Sequence, residues 1–114
     1  MRKLTGKFLA AAAFVAAATA GAAPGFAGTY DITVETVSID VGAFKRDGIG
    51  FNGGSPGPVL RFVEGEQVTL NVTNALAVDT SIHWHGLILP FQQDGVPTIS
   101  FDGIKPGETF TYSF

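Results

Sequence analysis

The residues best suited to chemistry in this chain are its two histidines, His83 and His85, which are separated by one residue. On an extended strand, residues i and i+2 project from the same face, with Cα atoms roughly 6 to 7 Å apart. Two imidazoles at that spacing reach two neighbouring metal ions more easily than they chelate one. Neutral imidazole favours copper, zinc, iron or nickel, and copper binds most tightly among these divalent ions. The pair therefore predicts one wall of a metal cluster.

The residues beside the pair have structural interpretations. Trp84 points to the opposite face of the predicted strand, so we expect it in the apolar core and not on a metal. Gly86 lets other groups approach the backbone closely. His-x-His pairs also occur by chance on solvated strands, because histidine serves many roles. The spacing alone therefore leaves a metal site and a chance pair as alternatives.

Composition limits the other kinds of site. The chain has no cysteine, which excludes a disulfide, a thiolate zinc site and a cysteine nucleophile within its 114 residues. Hydrophobic residues make up 46% and charged residues 15%, a balance typical of a packed core and not of a disordered tail. Fifteen glycines and six prolines indicate many turns, and this length leaves room for one small domain.

The first residues have the layout of an export signal. Three basic residues, Arg2, Lys3 and Lys7, precede an Ala-rich apolar run over residues 8–18, and small residues follow. A membrane anchor is the alternative, but a span takes roughly 20 strongly apolar residues. We predict a signal peptide over residues 1–23, cleaved between residues 20 and 27, which exports the chain to the periplasm or outside the cell. After cleavage we expect no membrane association.

The charge of the remaining residues argues against nucleic acid as a partner. Removing the three basic residues of the signal from the seven in the chain leaves four, against ten acidic residues. A surface with that excess of carboxylates repels phosphate backbones.

The residues after the signal read as strands. Alternating patterns predict strands over residues 30–41, with one phase slip that suggests a bulge, and over 59–63, 68–73, 81–89 and 109–114. The last alternation reaches Phe114 without a turn residue, so we expect a truncated chain. No helical period is visible after the signal. The predicted fold class is all-β, a Greek-key β-sandwich that is incomplete at its C-terminus.

Several ordered motifs resemble a known family. They are FNGGSPGPVLR over residues 51–61, EGEQV over 64–68, VTN over 72–74 and HWHG over 83–86. Together they resemble the first cupredoxin domain of multicopper oxidases, whose first copper motif matches HWHG. DGVP over residues 94–97 and FDGIKPGE over 101–108 look most like the periplasmic copper-resistance protein A branch. The resemblance runs from about Tyr30 to Phe114.

The resemblance implies specific roles. Residues 24–114 would form a cupredoxin-like, plastocyanin-like domain, in which His83 binds the type 2 copper and His85 binds one of the type 3 pair. Asp94 matches an acid that donates protons in related oxidases, although Asp-Gly is also an ordinary turn dipeptide. The complete enzyme would oxidise a small reductant, a cuprous ion or a phenol-like molecule, and reduce dioxygen to water, in the service of copper resistance.

Much of that enzyme is missing from these residues. The family's blue copper needs a cysteine, and its other histidine motifs are absent from this sequence. We therefore expect no oxidase activity from the chain alone. Three interpretations follow: a fragment of an oxidase, a short periplasmic module that binds or sequesters copper, or a copper-free structural relative. The intact paired imidazoles argue against the third, and an ending inside a strand argues against the second.

Overall fold

The computed structural model describes residues 28–114, and the predicted signal peptide lies outside them. The elements in chain order are β1 (Gly28–Asp40), β2 (Lys45–Phe51), β3 (Val68–Asn74), a short 3-10 helix (Phe91–Gln93) and β4 (Thr109–Ser113). They form one sheet in the order β2-β1-β3-β4. Strands β1 and β3 are parallel, and the other two pairs are antiparallel. The described residues contain no α-helix, which confirms the all-β prediction.

The alternation that predicted β3 also determines the core. Val68, Leu70 and Val72 are buried on one face, while the residues between them are half-buried on the other. From β4, Tyr112 packs into the same cluster and is fully buried. One face of the sheet therefore carries the core that supports the rest of the chain. The 3-10 helix is the only helix in residues 28–114, and it is too short to span a membrane.

The phase slip in β1 comes from a change of partner and not from a bulge. The strand pairs with β3 as far as Val34 and with β2 from Val34 onward, residue for residue in both ladders. Ile32 and Val34 face the core beside β3. Beyond that point Val37 is buried on the opposite face, where it covers Gly50 of β2. The predicted bulge is therefore wrong, because neither ladder contains an extra residue.

Two predicted strands, over residues 59–63 and 81–89, are also wrong. Neither segment belongs to a strand, and the nearest ladder contact is a single bridge between Thr80 and Ile104. The alternation in the second segment is real, but no neighbouring strand among residues 28–114 pairs with it. The N–H of Ile82 donates instead to the hydroxyl of Tyr112, at 3.2 Å. Side-chain contacts with the core thus position a segment that no strand pairing supports.

A buried asparagine fixes the loop that leads into this segment. The Asn74 amide nitrogen donates to the carbonyls of Val78 and Ile104, each at 2.8 Å. Its side-chain oxygen accepts from the N–H of Leu76 at 2.9 Å. Asn74 is fully buried, and its three bonds satisfy its own amide group as well as three backbone groups. They attach the loop after β3 to the segment that precedes β4.

Candidate metal site

The two imidazoles lie side by side on the outside of the molecule. The ring centroids of His83 and His85 are 5.6 Å apart, and the ring planes are nearly perpendicular, at 88°. Both residues are exposed, and the side chain of His83 retains 42% of its accessible surface. The rings therefore project into the same open region, where a metal ion could reach them.

Trp84 points the other way, into the core, as predicted. Its ring packs against Tyr112 at 5.4 Å and against Phe114 at 5.3 Å between centroids. An apolar cavity of about 230 Å³ lies beside it, lined in part by Phe51 and Leu60, and neither imidazole lines that cavity. The core contact of the indole therefore keeps the flanking imidazoles on the outer side of the segment.

Tyr112, in the core, contacts the segment that carries the two histidines. Burial raises the pKa of its hydroxyl above the ordinary value of 10.0 and outweighs the hydrogen bond from Ile82, which acts in the opposite direction. The hydroxyl therefore stays protonated at ordinary pH. A neutral hydroxyl accepts the Ile82 N–H and holds the backbone directly before His83.

His83 is oriented by a backbone carbonyl. Its Nδ1 lies 2.8 Å from the carbonyl oxygen of Asp94. A carbonyl can only accept, so this bond assigns the ring proton to Nδ1 and leaves the lone pair of Nε2 for a metal. The Asp94 carboxylate lies farther away, with Oδ1 at 3.6 Å from Nδ1. Asp94 thus lies in a turn and also places a carboxylate beside His83.

The turn that carries Asp94 depends on the following glycine. Asp94 directly follows the 3-10 helix, and its N–H donates to the carbonyl of Phe91 at 3.2 Å. Gly95 is buried at φ +76°, and a Cβ there would overlap the carbonyl of Ile82. A residue without a side chain is required for this close approach. Gly95 packs directly on the carbonyl of Ile82, the residue before His83. This contact brings the neighbouring Asp94 carbonyl within reach of the His83 ring.

A second anchor of this turn carries no sequence signal that we recognised. The side-chain oxygen of Gln93 accepts from the N–H of Ser113 in β4, at 2.7 Å. Glutamine in a surface loop is common, and its partner follows much later in the chain. Gly95 could be suspected from its Asp-Gly dipeptide, whereas Gln93 could be found only from the structure.

The donor set fits part of a copper site. Two imidazole nitrogens are ligands that suit copper among the first-row metals. Within residues 28–114, no group of three or more histidine, cysteine or acidic side chains is placed to hold a metal ion. The pair therefore supplies two ligands, and a closed coordination sphere would need further groups.

Several known proteins are similar to this chain over most of its length. The family model described as Multicopper oxidase matches residues 31–114. "Copper resistance protein A" of Escherichia coli is 48% identical over 85 residues, 75% of this chain. A "Copper resistance protein A homolog" of Pseudomonas syringae is 47% identical over 95 residues, 82% of this chain. The crystal structure of a multi-copper oxidase from Pseudomonas thermotolerans superposes with a TM-score of 0.75 at 34% identity over 79% of this chain.

The chain corresponds to a small part of each relative. It spans 14% of the Escherichia coli protein and 16% of the Pseudomonas syringae protein. It covers 22% of the Pseudomonas thermotolerans chain. The likeness therefore concerns a single domain of these larger proteins.

Proposed function

Because the chain belongs to the multicopper oxidase family, we propose that His83 and His85 bind two adjacent copper ions, His83 the type 2 copper and His85 one of the type 3 pair. The observation that carries this proposal is the placement of both imidazoles in one open region while Trp84 between them is held in the core. The hydrogen bond of His83 supports it further, since Nε2 keeps its lone pair.

The chain's own residues perform limited tasks in the proposed reaction. Bound copper would supply the electron transfer from a reductant to dioxygen. His83 would bind through Nε2, held in one orientation by the Asp94 carbonyl. The Asp94 carboxylate, 3.6 Å from Nδ1 and only half-buried, is placed to hold a proton near the pair and release it. We propose it as the proton donor of the site.

The relatives also support a proposal about the wider role of the protein. The proposed enzyme couples oxidation of a cuprous ion or a phenol-like reductant to reduction of dioxygen to water, and it contributes to copper resistance. The names of the two bacterial relatives support this role. We also propose that residues 1–23 direct export and that the protein acts in the periplasm, where a copper-resistance enzyme meets the metal. Oxidase activity belongs to a protein that supplies the remaining copper ligands.

A second candidate is a short copper-binding module without oxidase activity. It is favoured by one observation, that residues 28–114 offer two imidazoles and no larger metal-binding group. Such a pair could hold copper loosely in the periplasm. Sequencing past the codon for Phe114 separates the candidates. Further histidine motifs and a cysteine ligand support the oxidase, and an immediate stop codon supports the module.

The test of the proposed ligands uses His83→Ala and His85→Ala in the protein that carries this chain. Each variant should lose cluster copper and oxygen consumption, because each removes one imidazole that no other histidine in residues 28–114 replaces. Lys45→Ala is the control, since this exposed residue starts β2 on the far edge of the sheet. Wild-type copper content and oxygen uptake in either histidine variant would contradict the assignment.

A further inference from the structure

The outer edge of β4 is capped by a side chain. In an antiparallel pair, alternate residues turn their N–H and C=O groups away from the partner strand. Phe114 exchanges two hydrogen bonds with Val68, so its neighbour Ser113 points outward. The Ser113 N–H donates to the side-chain oxygen of Gln93 at 2.7 Å. A loop side chain therefore takes the place that another strand would occupy on this edge.

The hydrogen bond between Gln93 and Ser113 links the sheet to the turn that carries Asp94. Within residues 28–114, the other hydrogen bonds of residues 87–93 stay local. The N–H of Leu87 donates to Trp84, the N–H of Gln93 donates to Pro90, and the carbonyl of Phe91 accepts from Asp94. Gln93 is half-buried, whereas its neighbour Gln92 is exposed and makes no side-chain hydrogen bond in the described part of the chain. The two adjacent glutamines thus differ in the hydrogen bond to Ser113, which only Gln93 makes.

The turn is held from both sides of Asp94. Gly95 packs on the carbonyl of Ile82 on one side, and Gln93 is tied to Ser113 on the other. Between these anchors lies the Asp94 peptide, whose carbonyl accepts the Nδ1 proton of His83. Loss of either anchor would allow this peptide to rotate.

We propose that Gln93 is a positioning residue for His83: its side-chain oxygen, fixed on the edge of β4, holds the Asp94 carbonyl on Nδ1 and so keeps Nε2 available for copper. The inference rests on the proposed copper role of His83. It assigns a function to a residue that contacts neither the metal nor the imidazole.

The physical consequence is a change of tautomer. The proton of a neutral imidazole resides on the nitrogen whose hydrogen bond is better satisfied. Without the Gln93 anchor, the Asp94 carbonyl no longer stays on Nδ1, and the proton spends more time on Nε2. Copper must then compete with that proton. We expect copper affinity to fall about tenfold, the lower end of what loss of a ligand's outer partner costs.

The test compares Gln93→Ala, Gln93→Glu and Gln92→Ala in the 114-residue chain with 15N-labelled histidine. The 15N spectrum of the metal-free protein, at a pH where the imidazoles are neutral, shows which ring nitrogen of His83 carries the proton. Wild type and Gln92→Ala should show the proton on Nδ1. Gln93→Ala should shift signal toward the Nε2-protonated form, and Gln93→Glu should restore the wild-type spectrum because it keeps an acceptor oxygen for Ser113.

Copper titration of the same proteins completes the test. Gln93→Ala should bind about tenfold more weakly than wild type, with Gln93→Glu close to wild type. Backbone amide spectra verify that the sheet is intact in each variant. A Gln93→Ala protein with an unchanged His83 tautomer would overturn the inference and leave the proposed function standing. A wild type that binds no copper at its histidines would instead refute the proposed function, whatever the tautomer.

Discussion

Gly95 lies against the carbonyl of Ile82, and there the turn beside the histidine pair packs on the segment that leads into the pair. We predict that Gly95→Ala destabilises the fold by about 3 kcal/mol or more, because a Cβ both overlaps that carbonyl and strains a backbone at positive φ. Chemical denaturation measures the loss. Copper affinity should fall with it, since the displaced turn carries the Asp94 carbonyl.

Gly107→Ala is the matched control for this substitution. Gly107 also has a positive φ, +79°, but a Cβ there would meet no atom within 4 Å. It should therefore cost only the backbone strain, about 1–2 kcal/mol, and leave copper affinity unchanged. An equal loss in the free energy of unfolding for both substitutions would show that the contact between Gly95 and Ile82 does not contribute to stability.

The buried amide of Asn74 should be the most sensitive polar group of the core. Asn74→Ala leaves the carbonyl of Val78 and the N–H of Leu76 without their partners, while the carbonyl of Ile104 keeps only the N–H of Thr80. Because each unsatisfied buried group costs roughly 1–3 kcal/mol, we expect a loss of about 3 kcal/mol or more in the free energy of unfolding. Asn71→Ala, on the outer face of the same strand, should cost about 1 kcal/mol. A smaller loss at Asn74 than at Asn71 would contradict this account.

The buried hydroxyl of Tyr112 predicts a loss of stability at alkaline pH. Its pKa is raised by burial, so the folded chain keeps the proton at a pH where the unfolded chain has lost it. The protonated Tyr112 hydroxyl makes its full contribution to folding stability below the ordinary pKa of 10.0. That contribution is lost as pH rises from 10.0 through the raised pKa of the folded chain. For this single group, the free energy of unfolding falls by at most about 1.4 kcal/mol per pH unit.

Unfolding curves of wild type and Tyr112→Phe, measured from neutral pH to above 10.0, isolate this effect. Both proteins share every other titrating group, so the difference between their stabilities should be constant below that pH and should shift in favour of the Phe variant above it. A difference that stays constant throughout would mean that Tyr112 titrates normally in the folded chain.

The copper complex of the chain alone should be pale. Intense blue absorption in copper proteins arises from a cysteine thiolate on the metal, and this chain has no cysteine. We predict weak copper binding with only the faint absorption of nitrogen and oxygen ligands. Visible spectroscopy of the copper-loaded chain measures it, and a strong thiolate-to-copper band would contradict the prediction.

The sequence predicted the parts of the fold that depend on local pattern. The alternation of β3 correctly identified a half-buried strand, and Trp84 was correctly assigned to the core. The pattern over residues 81–89 predicted a strand that does not form. Periodicity reports which side chains face inward, and it does not report whether a neighbouring strand pairs with the backbone.

The details of the site required the tertiary structure. The sequence singled out His83, His85 and Asp94, but it could not show that Asp94 reaches His83 through a backbone carbonyl. Gln93 was missed because its partner, Ser113, comes close only after the sheet has formed. Likewise the bulge predicted in β1 is a change of partner strand, which no single-strand pattern distinguishes from an inserted residue.

The most direct test of the central claim is a copper titration followed by NMR of the imidazole ring protons. Copper(II) is paramagnetic and broadens the signals of groups close to it. We predict that the ring signals of His83 and His85 broaden together at the first substoichiometric additions, before any carboxylate-bearing residue elsewhere, because the two rings lie 5.6 Å apart in one open region. Broadening that begins elsewhere and leaves both rings sharp would contradict the account.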